Sequence, residues 1–86
     1  MANIDFKKIT QIAVDEVVAE LKQEMDNEKI DEAVKAIDAV NMVAGIVQGT
    51  IKDIGADPEK LGEEAIKQIA RESAKAAILE GIKALG

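Results

Sequence analysis

Glu16, Glu20, Glu24 and Glu28 recur every fourth residue, and Lys67, Arg71 and Lys75 repeat the spacing with opposite charge. Residues four apart share one face of a helix, so each set forms a ridge of like charge. A carboxylate ridge can serve acid–base catalysis, hold a hard cation or pair with bases. The chain has no His and no Cys, which removes imidazole catalysis, thiolate nucleophiles and zinc sets. Ser73, Thr10 and Thr50 therefore have no His to activate them. Adjacent carboxylates such as Asp15 and Glu16, or Glu63 and Glu64, point about 100° apart on a helix and do not share a substrate. Di-metal bundles rely on Glu-x-x-His, absent here, and no EF-hand loop or phosphate-cradling glycine motif is present. No catalytic residue, cofactor or metal site is assigned, and a non-enzymatic protein is expected.

Ion pairing is the remaining use of the two ridges. Glu16 with Lys67, Glu20 with Arg71 and Glu24 with Lys75 share one offset, 51 residues. Two parallel helices starting near Asp5 and Pro58 are offset by 53, a difference of about 3 Å of helix rise. These six residues are expected to form inter-helix ion pairs.

The elements that must position them are read from their ends. Asp5 is a good N-cap, with Ile4 and Ile9 at the positions of a hydrophobic staple. Gly55-Ala56-Asp57-Pro58 combines a C-terminal glycine, a cap and a first-turn proline. Asp26-Asn27 gives a weaker break, with a continuous helix exchanged between two copies as the alternative. The expectation is an all-α fold in one domain over residues 1–86, with helices at about 5–25, 28–54 and 58–85. They are expected to make a three-helix up-down-up bundle that completes a larger bundle by homo-oligomerisation, most simply as a dimer.

Size points the same way. A domain of 86 residues buries only about 60% of its unfolded surface and usually needs a disulfide, a metal or a second copy. Residues 30, 33, 37, 40, 44, 47, 51 and 54 are apolar at heptad spacing, the expected core stripe of the second helix. Its opposite side is also apolar, because residues 39–51 carry no charge. A helix apolar all round is covered on all sides, and two short neighbours do not suffice. Ala39, Met42, Val43, Gly45, Ile46 and Gly49 are therefore expected at an interface, with Gly45 and Gly49 allowing a close helix crossing. Ala70, Ala74, Ala77 and Gly81, a stripe of small residues on the third helix, are placed at the same interface.

Charge and composition exclude other partners. A net charge of −6 and a single aromatic residue, Phe6, argue against nucleic acid. The uncharged run is too short for a membrane span, and the first residues lack an apolar leader, so a cytoplasmic protein is expected. Residues 1–28 hold seven acids against three bases, so a basic protein partner would meet the first helix. The functional expectation is a protein–protein association module, a homo-oligomeric structural or adaptor protein. The alternatives are an acidic regulator of a basic protein and a binder of a small apolar ligand such as a lipid near Met42. Ile54-Gly55-Ala56-Asp57 resembles the approach to the attachment site of acyl carrier proteins, but Pro58 stands where that family carries its phosphopantetheine serine. The resemblance is limited to those residues and is set aside.

Overall fold

Asp5 and Asp26 start the first two helices in the same way. Asp5 Oδ1 accepts a hydrogen bond from the Lys8 backbone N–H at 3.0 Å, and Asp26 Oδ1 accepts from Glu28 N–H at 2.9 Å. Each satisfies a donor that the first helical turn leaves free. In the computed structural model, which describes residues 4–85, these caps open α1 (Phe6–Lys22) and α2 (Asn27–Ala36). Then follow α3 (Ala39–Asp53) and α4 (Pro58–Leu85), and no strand occurs among the described residues. Met1–Asn3, part of the stretch read above for a leader, and Gly86 lie outside them.

The helix expected at 28–54 is two helices. Asp38 adopts a left-handed backbone, φ 50° and ψ 60°, and α2 and α3 meet at a 63° bend. Asp tolerates that region better than most residues. Its carbonyl accepts the first α3 hydrogen bond from Met42 N–H at 3.0 Å, and its carboxylate accepts from the Asn41 side-chain amide at 2.8 Å. Breaking the helical phase there rotates α3. Ala39, Val43, Ala44, Val47 and Ile51 face the core, while Ile37 and Val40 are half-buried and Ile54 is 64% exposed.

The second departure is in α4. Asp57 Oδ1 caps its start by accepting from Glu59 N–H at 3.0 Å, with Pro58 in the first turn. Gly62 then takes φ 82° and ψ 161°, a conformation open essentially to glycine alone. The expected continuous helix is thus one turn, a sharp break, and a straight run over residues 63–85. That run is about 35 Å long by helix rise. The molecule as a whole extends 42 Å along its longest axis.

This run is the shared neighbour of every other helix, and α1 has the largest contact with it. Its inward face is Ile66, Ala70, Ala74, Ile78 and Gly81, all buried. Ile9, Ala13, Val14, Val17 and Leu21 of α1 and Ile30 and Ala33 of α2 complete the core with the inner face of α3. The small side chains permit close approach. A Cβ at Gly81 would stand 3.3 Å from both the Ala33 Cβ and the Ile37 Cγ2. The tight glycine crossing within the chain is therefore α2 on α4 at Gly81, not at Gly45 or Gly49.

Two substitutions test this account. Gly62→Ala should lower stability by about 1–3 kcal/mol, because an L-residue there is strained. The melting temperature should fall by roughly 4–8 °C per kcal/mol. Thr10 is fully buried and its hydroxyl has no hydrogen-bond partner. Thr10→Val should raise stability by about 1 kcal/mol in urea unfolding, since it removes an unpaired polar group at nearly constant shape.

Candidate functional site

Beyond the 63° bend, one side of α3 faces outward. Met42, Gly45, Ile46 and Gly49 lie on it at spacings of three, one and three, a single helical stripe. All four are exposed, Met42 by 46% and Ile46 by 42%. A Cβ added at Gly45 or Gly49 would meet no neighbour within 4 Å. Beside the stripe, α3 and the second half of α4 enclose an open groove of about 670 Å³. Met42 and Ile46 form one wall, Ile37 closes the bend end, and Ser73, Ala76, Ala77, Glu80, Gly81 and Ala84 supply the α4 side. The groove exists because the α4 side chains are short. It is apolar, with Glu80 its only charged lining residue.

The residues expected at an interface therefore divide. Ala39, Val43, Ala70 and Ala74 are at most 2% exposed within this single chain, so the protomer's own core already covers them. Gly81 is buried against Ala33 and Ile37, and Ala77 is half-buried at the groove. Met42, Gly45, Ile46 and Gly49 remain open, and Met42 and Ile46 share the groove lining with Ala76 and Ala84, which sequence reading did not single out. Their signal lies in the spacing, since Ala76 and Ala84 sit on the same α4 face as Ser73, Ala77 and Glu80.

The charged ridges lie elsewhere. Lys67 Nζ stands 3.2 Å from Glu16 Oε2, and the Arg71 guanidinium reaches Glu16 Oε1 at 3.2 Å with one nitrogen and Glu20 Oε1 with another. The pairs ascend α1 and α4 together, so the two helices run in the same direction. Glu24 and Lys75 line one shallow depression with Glu20 and make no ion pair among the described residues. Lys22 instead joins Asp31 of α2 at 2.9 Å. Arg71 is the only Arg in the chain. It occupies the position where one side chain must bridge two carboxylates a turn apart, which a planar fork does and an ammonium does not. These groups are from a quarter to more than half exposed, so each pair contributes little energy and chiefly holds α1 in register on α4.

Among the described residues no group of three or more acidic side chains could hold a metal ion. No single helix is long and apolar enough to cross a membrane; only α2 and α3 taken together reach that length, across their bend.

Arg71→Lys should cost about 0.5 kcal/mol at low salt, by losing one of two carboxylate contacts, and the difference should shrink in 1 M salt. Urea titrations of both proteins at two ionic strengths measure it. Comparison with family models, with curated proteins and with solved structures gave no match to this chain.

Proposed function

We propose that this protein is a non-enzymatic association module that joins copies of itself through the α3–α4 groove face. The observation that carries this reading is the outward stripe Met42, Gly45, Ile46 and Gly49 beside an apolar groove of about 670 Å³. Exposed large apolar side chains beside an apolar groove support an interaction site on this face. Two glycines in a helix interior each cost about 1 kcal/mol relative to alanine, and nothing within the chain uses the space they leave. A close-packed partner helix would use it.

Charge favours a second copy over a basic protein at this face. Four of the six excess acids lie in residues 1–28, whereas the groove lining holds one carboxylate, Glu80. Glu16 and Glu20 are already paired with α4, and the expected ridge stops with them, because α1 ends at Lys22 and leaves Glu24 in the turn and Glu28 in α2. A small apolar ligand is favoured less, because the groove is open along its length and would leave such a ligand largely in water.

Light scattering across a dilution series tests the reading. The unaltered chain should have the mass of a dimer or larger assembly. Met42→Glu with Ile46→Glu should leave a monomer of unchanged helicity, since both side chains are already exposed in the protomer. Gly45→Ala with Gly49→Ala should stabilise the isolated protomer by about 0.5–1 kcal/mol per site while weakening association. A concentration-independent monomer for the unaltered chain overturns the reading.

A further inference from the structure

We infer that the α2–α3 joint is a hinge for exchange between two copies of the chain. When it opens, α2 and α3 join in one straight helix, and α1 and α2 of each copy pack on α3 and α4 of the other. The apolar pattern runs through the bend: from Ile30 to Ile54 it keeps unbroken heptad spacing across Asp38. Such a stripe lies on one face only where the helix is continuous. In the bent chain it is split, with Ile37 and Val40 half-buried and Ile54 exposed. A straight helix also pairs the last carbonyls of α2 with the first N–H groups of α3, which a break takes out of the helical ladder.

The joint itself is short and weakly held. Only Ile37 and Asp38 separate the two helices, and Asp38 is the one non-glycine residue with positive φ among the described residues. Asp5, Asp26 and Asp57 each cap their helix by accepting a backbone N–H, whereas the Asp38 carboxylate caps none and bonds to the Asn41 side chain. A short hinge under backbone strain favours exchange of segments between copies. Of all the helix pairs, α2 and α3 touch each other least, so straightening gives up little between them. The contacts of α1 with α4, of α2 with α4 and of α1 with α3 all cross the hinge. Exchange re-forms each of them between copies, since a surface that fits a segment of its own chain fits the same segment of another. That complementarity names the occupant, and the exchange leaves the groove face out of account.

Two ion pairs serve as reporters, because carbodiimide joins a lysine to a carboxylate that it touches. Lys67 and Glu16, 3.2 Å apart, belong to α4 and α1, on opposite sides of the hinge. Lys22 and Asp31, 2.9 Å apart, belong to α1 and α2, on the same side. Chains grown in light and in heavy nitrogen are mixed equally, unfolded in urea, refolded together, cross-linked and read by mass spectrometry. Asp38→Ala should raise the exchanged form by about tenfold over the unaltered chain, because alanine disfavours the left-handed bend and favours the straight helix. At full exchange about half of its Glu16–Lys67 peptide joins a light strand to a heavy one, while the Lys22–Asp31 peptide stays within one strand. Asp38→Gly, unstrained in the bend and poor in the straight helix, should exchange less than the unaltered chain. A folded Asp38→Ala protein with no mixed Glu16–Lys67 peptide overturns the hinge, whatever its mass. A dimer through the groove face gives that result and leaves the proposed function standing. Mixed Lys22–Asp31 peptide also overturns the hinge, by moving the exchange to the α1–α2 turn. Should Asp38→Ala not fold, the unaltered chain refolded at millimolar concentration decides: mixed Glu16–Lys67 peptide supports the hinge, and its absence overturns it.

Discussion

Asp38 holds a left-handed backbone, and the placement of every later residue of α3 depends on it. A helix advances about 100° per residue, so one residue outside the helical region rotates all that follow relative to what came before. Without that rotation Ile37, Val40, Ala44 and Val47 would continue one stripe with Ile30 and Ala33. With it, Ala39 and Val43 join Ala44, Val47 and Ile51 in the core, Val40 and Ile54 move outward, and Met42, Gly45, Ile46 and Gly49 stay on the outer side. The side-chain bond from Asn41 to Asp38 and the Asp38 carbonyl that opens α3 support the bend locally.

The straight part of α4 is the surface on which the bent chain closes. It touches all three other helices, and its inward residues are small where the approach is closest. Ala70, Ala74 and Gly81 thereby act inside the protomer, which is why an alanine–glycine stripe alone did not locate an interface between subunits. The ion pairs from Glu16 and Glu20 to Lys67 and Arg71 sit on the rim of the α1–α4 contact. Apolar burial holds those two helices together, and the charges select one longitudinal alignment.

Keeping net charge off one face has a consequence for association. Two copies at −6 repel each other, and the repulsion is least where the surface is nearly uncharged. The groove side of α3 and α4 meets that condition, and it is also where apolar side chains remain in water. A chain of this length without disulfides has little stability to spare. Leaving Met42, Ile46 and two helix-interior glycines unpartnered is a cost that an added contact would offset.

The sequence by itself determined the all-helical class, the capping at Asp5 and Asp57, the chain reversal at Gly55, and the opposed charge ridges, because caps, breaks and four-residue spacing act within a turn or two of helix. It also indicated that α3 has two apolar sides. It indicated the side through Ala44, Val47 and Ile51 as the buried one, but not that Ala39 and Val43 take the place of Val40 and Ile54 there. That choice depends on the backbone at Asp38, and an Asp in a run of helix-forming residues signals an exposed position as readily as a left-handed one. Nor did it reveal that Gly62 breaks α4, since a single glycine inside a helical pattern is ordinarily tolerated. Gly81 and Gly45 look alike in sequence, yet one is pressed against Ala33 and Ile37 and the other faces open space. Only the tertiary structure separates them, because a missing side chain has meaning only through what approaches it.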